Sequence, residues 1–497
     1  MELDVKLALD SLQDAENICT LLNNEDLKTI GDHVVTNYDI DEESRVEWKE
    51  NNKKALKLAL QVKEEKSTPW PKASNVKLPL LTIAAMQFAA RAYPALVKAP
   101  DLVKFRVQGS DDGQKASRAL RISSHMSYQL LEQDEPWEED QDKALLTLPI
   151  LGCIFKKSYY DPIKGHNCSK LILPQNLVVH YYARSIEECE RKTEIFQFYK
   201  REIRERELRG TFKENDYGPP VMPEPRDEDK RQGVTAPLND KDAPRTFLEQ
   251  HCYLDLDGDD YKEPYIVTVD KESKKVARIV ARFATVTTEQ SVKIEELQKR
   301  ITALDGGRKG QEQELARQMK AGQEPSQDAL GQITAAEQTV ARLQAEVEAT
   351  AKEKPKVLSI KSVEHYTKYG LIPSPDGGFY DIGFGLLLGP LNNSANTLVN
   401  QLIDAGTLAT SNTGFLGRGA RLKGGSIRFK PNELKRVNVA GATLRDSIVM
   451  MEYKDPSAVL FQLLGMLVSY TERVASVNDA MMGENPGQNT PAFTSKQ

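Results

Sequence analysis

Apolar residues along this chain recur with changing periods, and the changes mark its organisation. In the N-terminal part Leu7, Leu9, Leu12, Ile18, Leu21 and Leu22 are spaced for one helix face, with acids covering the other, which predicts a surface helix pair. Residues 68–75 place Pro69 and Pro71 around Trp70. Two fixed φ angles impose an extended segment, Ser74 or Asn75 is placed to cap a helix, and that helix is expected from about Pro79. Residues 150–160, 171–182 and 193–199 are rich in β-branched and aromatic side chains and predict strands. Between Lys213 and Arg245, Pro219, Pro220, Pro223, Pro225, Pro237 and Pro244 stand among charged residues with almost no apolar periodicity, the pattern of an extended arm or disordered loop. The runs 253–269 and 276–286 then resume the sheet as a hairpin around the polar 270–275, and the fold class implied is α+β.

From 287 to 354 the composition shifts to Ala, Gln, Glu, Lys and Arg. Apolar residues fall at Ile294, Leu297, Ile301 and Leu304, and again at Ile333, Ala336, Val340, Leu343 and Val347, with Gly306, Gly307, Gly310, Gly322 and Pro325 between the runs. The simplest reading is an antiparallel helical hairpin inserted in the sheet domain; so few repeats fit a coiled-coil pair or packed surface helices equally. Pro390 is placed to open a helix with Leu391, Ala395, Leu398, Leu402 and Ala405 on one stripe and Gly406 as its stop. Asp455 as cap and Pro456 in the first turn announce another, striped by Leu460, Leu463, Leu467, Tyr470, Val474 and Val477. At 1.5 Å per residue, residues 457–482 span about 39 Å.

The stretch bracketed by these helices changes the electrostatic picture. The 497-residue chain has a formal charge of −6, and residues 1–50 hold 14 acids against four bases, whereas 411–436 hold seven bases and only Glu433 opposing them. A uniformly basic nucleic-acid coat is excluded. Within 414–430, Arg418, Arg421, Lys423, Arg428 and Lys430 stand on a glycine-rich backbone, able to reach phosphates without reading bases, although such a loop is also compatible with plain solvation. The first helix carries Asn392, Asn396 and Asn400, an amide at every fourth position; Asn is a poor helix-interior residue, so the stripe reads either as a solvated face or as one directed at a neighbouring subunit or a channel.

The chemistry-bearing motifs are sparse. No phosphate loop of the GxxxxGK[ST] type, no GxSxG and no HExxH occurs, and the six histidines show no metal spacing. Gly383 to Gly389 is one residue off a dinucleotide fingerprint and comes after no clean strand. His166 and Cys168 read as a turn, and the acidic run 132–142 around Trp137 reads as a solvated helix start. Asp255, Asp257 and Asp259 alternate as in a calcium loop, but Asp260 stands at the sixth position where glycine is required and Ile266 at the twelfth, so an acidic hairpin turn is expected and no metal site. Five scattered cysteines without a CxxC pair suit a reduced compartment. The most apolar stretch, 79–97, is interrupted by Gln87 and Arg91, which excludes a membrane span.

Three segments carry a family resemblance: Trp70-Pro-Lys-Ala-Ser-Asn-Val-Lys-Leu-Pro-Leu80 with the adjoining Gln87-Phe-Ala-Ala-Arg-Ala-Tyr-Pro94; Tyr380-Asp-Ile-Gly-Phe-Gly385 through Asn396-Thr-Leu-Val-Asn-Gln-Leu-Ile-Asp-Ala-Gly406; and Asp455-Pro-Ser-Ala-Val-Leu-Phe-Gln-Leu-Leu464. Together they resemble the portal, or head-to-tail connector, proteins of tailed double-stranded DNA bacteriophages. The resemblance covers most of the chain outside 287–354 and implies a non-enzymatic subunit, without cofactor, of a ring of about twelve copies at a capsid vertex of the virion. Its implied divisions are a wing over 1–286 and 355–389 interrupted by the inserted hairpin 287–354, a first stem helix over 390–410, a clip over 411–455, a second stem helix over 456–483 and the start of a channel loop over 484–497. The C-terminal crown of such proteins has no counterpart in these residues. Implied partners are non-specific double-stranded DNA, terminase, tail or adaptor proteins and the major capsid protein. The rival expectation is a coiled-coil scaffold or adaptor protein of a virion using 294–347.

Overall fold

A computed structural model describes residues 9–62, 73–97, 102–109, 113–162, 164–219, 233–235, 237, 240, 242–320, 327–350, 357–410, 414–416, 420–422, 437–439, 448–450 and 457–481. The chain begins with helices α1 (Leu9–Asp14), α2 (Asn24–Ser44), α3 (Val46–Ala59), α4 (Leu80–Leu96), α5 (Gln114–Tyr128) and α6 (Trp137–Leu151). Strands β1 (Cys153–Asp161), β2 (His166–Ile172), β3 (Leu177–Val179) and β4 (Lys192–Phe198) come next, then α7 (Lys200–Leu208), β5 (Arg245–Leu254), β6 (Glu263–Asp270), β7 (Val276–Ala281) and β8 (Phe283–Thr288). Two long helices, α8 (Glu289–Lys320) and α9 (Gln327–Thr350), precede β9 (Val357–Ser362) and β10 (Tyr366–Gly370). Helix α10 (Phe384–Thr410), the short strands β11 (Gly414–Leu416), β12 (Ala420–Leu422), β13 (Val437–Val439) and β14 (Ile448–Met450), and helix α11 (Ala458–Met481) complete the order. The architecture is mixed α and β with several small sheets.

The described residues divide into two compact units, one drawn from Met1–Ser44, Asn176–Glu224 and Pro237–His365, the other from Arg45–Gln175, Pro225–Ala236 and Tyr366–Gln497. The division passes through the span 1–286 that reads as one wing in the sequence.

The first unit is built on an antiparallel sheet of order β3-β4-β5-β6-β7. Leu27, Ile30, Val34, Val35 and Tyr38 of α2 recur at helical spacing and bury against Leu248, Val267, Val269, Val276 and Ile279 of the sheet. The N-terminal periodicity does not produce a surface helix pair: Leu12, Ile18 and Leu22 are buried in the core, and α1 is followed by a single 3-10 turn, Ile18–Thr20. The periodicity breaks at Asn17, whose buried amide donates to the Thr211 and Ala277 carbonyls and accepts from the Cys19 and Ile279 N–H groups. Leu21 accordingly turns outward, and Leu7 lies outside the described residues. The run 253–269 is likewise two strands: residues 255–262 turn β5 back into β6. At the start of the proline-rich arm, Arg245 pairs with Asp270 and donates to the carbonyls of Tyr217, Gly218 and Pro219; most of 213–245 lies outside the described residues.

Helices α8 and α9 pack on each other and grow out of the antiparallel pair β8–β9, in which Thr288 faces Val357. Gly306, Gly307 and Gly310 are inside α8 and do not separate the helices, while Gly322 and Pro325 lie outside the described residues.

Near this base, Glu364 accepts from the fully buried side chains of Lys192 and Arg282. Burial alone would raise the Glu364 carboxyl, but the Lys192 hydrogen bond and the two cations hold it below its ordinary value of 4.5. Its charge is therefore stabilising above pH 4.5 and the contribution is lost as pH falls through the lower folded-state value. Replacing Glu364→Gln leaves two buried cations without their counter-charge and should cost about 3–5 kcal/mol at neutral pH. Urea unfolding at pH 7 and at pH 3 checks this: the variant's deficit should be large at pH 7 and shrink in acid.

Candidate interaction surface on the paired helices

In the second unit, the sheet β10-β1-β2 and the helices α3, α4, α6, α10 and α11 share one assembly. The acidic run 132–142 is part of its framework, not merely a solvated helix start. Asp134 and Asp140 accept from the Ser169 and Leu171 N–H groups of the edge strand β2, both at 2.9 Å, while Glu138, Glu139 and Asp140 occupy the favourable first turn of α6. Helix α6 ends at Gly152, whose φ of +91° is left-handed, and there the N-terminus of α10 comes close: a Cβ on Gly385 would stand 2.5 Å from the Ile150 carbonyl oxygen. Of the glycines resembling a dinucleotide fingerprint, Gly383 and Gly385 thus serve close packing, whereas a Cβ on Gly389 would meet nothing within 4 Å. Helix α10 begins at Phe384 rather than at Pro390, which lies inside it, and continues past Gly406 to Thr410. Phe384 and Leu388, buried with Leu58, Leu81 and Ala84, hold the extra turns in place.

The amide stripe of α10 points neither to solvent nor to a channel. Asn392, Asn396 and Asn400 are buried against the extended segment that precedes α4. Asn392 accepts from the Leu81 N–H at 3.1 Å and donates to the Leu78 carbonyl at 3.1 Å. Asn396 accepts from the Leu78 N–H at 2.7 Å. Asn400 accepts from the Val76 N–H at 2.7 Å and the Ser74 hydroxyl at 2.9 Å, and donates to the Val76 carbonyl at 3.0 Å. One turn further, Asp404 accepts from the Ser74 N–H at 2.7 Å. Four helical residues advance about 6.0 Å and two extended residues about 6.6 Å, so steps of four on α10 keep pace with steps of two from Leu78 to Ser74. Of the segment's conspicuous start, Trp70, Pro71 and Lys72 lie outside the described residues.

Helix α11 packs on α10 and α4, with Leu460, Leu464, Leu467 and Val474 half-buried and Thr471 buried. Ser457 caps it, its hydroxyl accepting from the Val459 N–H at 3.3 Å; the expected cap, Asp455, lies outside the described residues. The expected apolar stripe is split. Leu460, Leu467 and Val474 face inward, whereas Leu463 and Tyr470 are exposed and the side chain of Val477 is outside the described set. A second stripe results: Val459, Leu463, Met466 and Tyr470, spaced four, three and four, are 67%, 40%, 55% and 48% exposed. At 100° per residue these four span about 60° and are centred roughly 90° from the buried face. An apolar stripe of coiled-coil spacing is left exposed among the described residues.

Between the two helices the described pieces form nested antiparallel pairs, β11 with β14 and β12 with β13. Arg421 lies in β12 opposite Asn438. Arg418, Lys423, Arg428 and Lys430 lie outside the described residues.

The cysteine thiols are chemically quiet: burial pushes Cys19, Cys153 and Cys252 up to about 12 and also raises Cys168 and Cys189. No helix among the described residues is long and apolar enough to cross a membrane. Carboxylates that could hold a metal ion gather at the β5–β6 turn. No protein-family model matches the chain, and no curated protein sequence matches it.

Asn400→Ala removes the partners of the Val76 N–H and carbonyl together and should destabilise the protein by about 1–2 kcal/mol, since both bonds are only partly buried and a hydrogen bond contributes about 0.5–1.5 kcal/mol net. Hydrogen exchange provides the local check: amide protection at Val76 and Leu78 should fall in the variant, while protection in β4–β6 is retained.

Proposed function

We propose that this chain is the subunit of a portal: a ring of about twelve copies at one capsid vertex, through which double-stranded DNA enters during packaging and leaves during ejection. The observation that carries the reading is the uncovered Val459, Leu463, Met466, Tyr470 stripe on one of two packed helices. A stripe of that spacing on a helix longer than 20 residues suits burial against a neighbouring copy, and repetition of one heterologous contact closes into a ring. Support also comes from the order of helix, nested ribbon and helix, with the basic residues of 411–436 concentrated in the ribbon segment. In this reading α10 and α11 are the stem, 411–455 is the clip, and the clip receives terminase during packaging and tail or adaptor proteins afterwards. The remainder forms a wing in contact with the major capsid protein.

Net acidity suits a conduit. Continuous phosphate binding would hold DNA in place, whereas a local cluster of cations on a chain of charge −6 lets it slide. The subunit itself performs no chemistry in this reading, and a separate ATPase drives translocation.

Negative-stain electron microscopy of the purified protein tests the assembly. Rings with a central hole are expected; rods or dispersed monomers across assembly-permissive salt would sink the reading. Leu463→Glu with Met466→Glu should abolish rings while leaving helical content unchanged by circular dichroism. Arg418, Arg421 and Lys423 replaced together by Ala should leave rings intact and lower infectious titre, and rings should survive deletion of 287–354, which the rival scaffold reading does not allow.

A further inference from the structure

The turn between β5 and β6 contains an arrangement that neither the sheet nor the portal reading uses. Asp255, Asp257 and Asp259 alternate along the turn and Glu263 opens β6; one carboxylate oxygen from each of the four lies within 4.8 Å of the others. The three aspartates are fixed by the turn's own backbone. Asp255 accepts from the N–H groups of Gly258 at 2.7 Å and Asp260 at 3.2 Å, Asp257 from that of Asp259 at 3.2 Å, and Asp259 from that of Tyr261 at 2.8 Å. A carboxylate has about four acceptor sites, so each retains capacity for a further ligand.

Glu263 differs from the aspartates. Its residue surface is 0% exposed, its Oε2 accepts from the Tyr265 hydroxyl at 3.2 Å, and its Oε1 is buried with no hydrogen-bond partner. A buried acceptor left open among three other carboxylates is costly unless a proton or a cation completes it. No lysine or arginine among the described residues forms an ion pair with any of the four. The electrostatic consequence is visible in the acids: burial and then the Asp257 charge push Glu263 up to about 8, with the Glu263 and Leu256 backbone dipoles only partly opposing, and burial and then Asp259 push Asp257 up to about 6.

Both objections to a calcium loop in the sequence lose force in this geometry. Asp260, at the sixth position, adopts a φ of +68°, the left-handed turn that glycine normally supplies there. The missing acid at the twelfth position is replaced by Glu263, the ninth, which the strand carries back to the aspartates. We propose that Asp255, Asp257, Asp259 and Glu263 bind a calcium ion at the tip of the β5–β6 hairpin. The donor set favours calcium over magnesium: calcium takes about six to eight oxygens, carboxylates above all, in irregular geometry, whereas magnesium demands a near-ideal octahedron and tends to keep its waters. The inference does not depend on the portal reading, since the site is complete within one chain.

Terbium luminescence excited through tyrosine tests the site on the full-length protein after chelator treatment, because Tyr265 adjoins Glu263. Saturable emission displaced by calcium, with magnesium at least tenfold weaker, is expected. Asp257→Asn and, separately, the exposed Asp259→Asn should abolish it, with circular dichroism unchanged. Calcium should raise the melting temperature of the wild type by several degrees and that of the variants by none. Absence of saturable emission together with no melting shift at roughly 5 mM calcium, or signals that persist unchanged in both variants, would overturn the proposal; magnesium competing as well as calcium would overturn the choice of ion.

Discussion

An extended backbone can be buried in a helical assembly only if its N–H and carbonyl groups find partners there, and for residues 74–81 those partners are side chains of α10. Asparagine suits this task because one short side chain both donates and accepts, reproducing the edge of a strand from the surface of a helix. The arrangement adds a polar strip to the usual amphipathic pattern. Asn392, Asn396 and Asn400 are inside beside the buried Leu388, Ala395, Leu398 and Leu402, while Leu386, Leu387 and Ile403 of the same helix are at the surface. Apolar surface is thus left exposed on α10 as well as on the outward stripe of α11. The internal clamp on α10 and the exposed stripe on α11 belong to helices that pack on each other.

The sheet-based unit solves the same problem with other groups. Asn17 ties the N-terminal segment to β7, Arg245 holds the start of the proline-rich arm, and Glu364 joins two buried cations. Such fully engaged polar groups fix one arrangement rather than add much net stability, because a misplaced partner strands a buried charge.

Helix and strand identities were legible where periodicity was long and uninterrupted: α11 lies within one residue of each end of the expected 457–482, and β4 and the α8–α9 pair occur where composition indicated. Boundaries failed where tertiary contacts decided them. Pro390 is tolerated inside α10 because the preceding turn is anchored by Phe384 and Leu388, and Gly306 and Gly307 remain helical because their neighbours are good helix formers. The asparagine spacing announced a face in contact with something, yet its partner lies more than 300 residues away in sequence, a relation that no local pattern encodes. Glu263 was missed for a related reason: it falls outside the loop positions that calcium chemistry normally counts, and only the return of β6 brings it to the aspartates. The split of the α11 stripe was equally hidden, since Leu460 and Leu463 are both apolar and only packing on α10 and α4 distinguishes inside from outside.

The α8–α9 pair leaves and rejoins the sheet unit through two adjacent strands, with Thr288 opposite Val357. Because the entry and exit points are hydrogen-bonded neighbours, the ends of whatever lies between them are held a few ångströms apart irrespective of its length. Loop-closure entropy is then set mainly by the strand pair, and the insertion behaves as a cassette. A reporter domain whose own termini are close together can be grafted at the same point, placing a label on this unit at a known position in the chain.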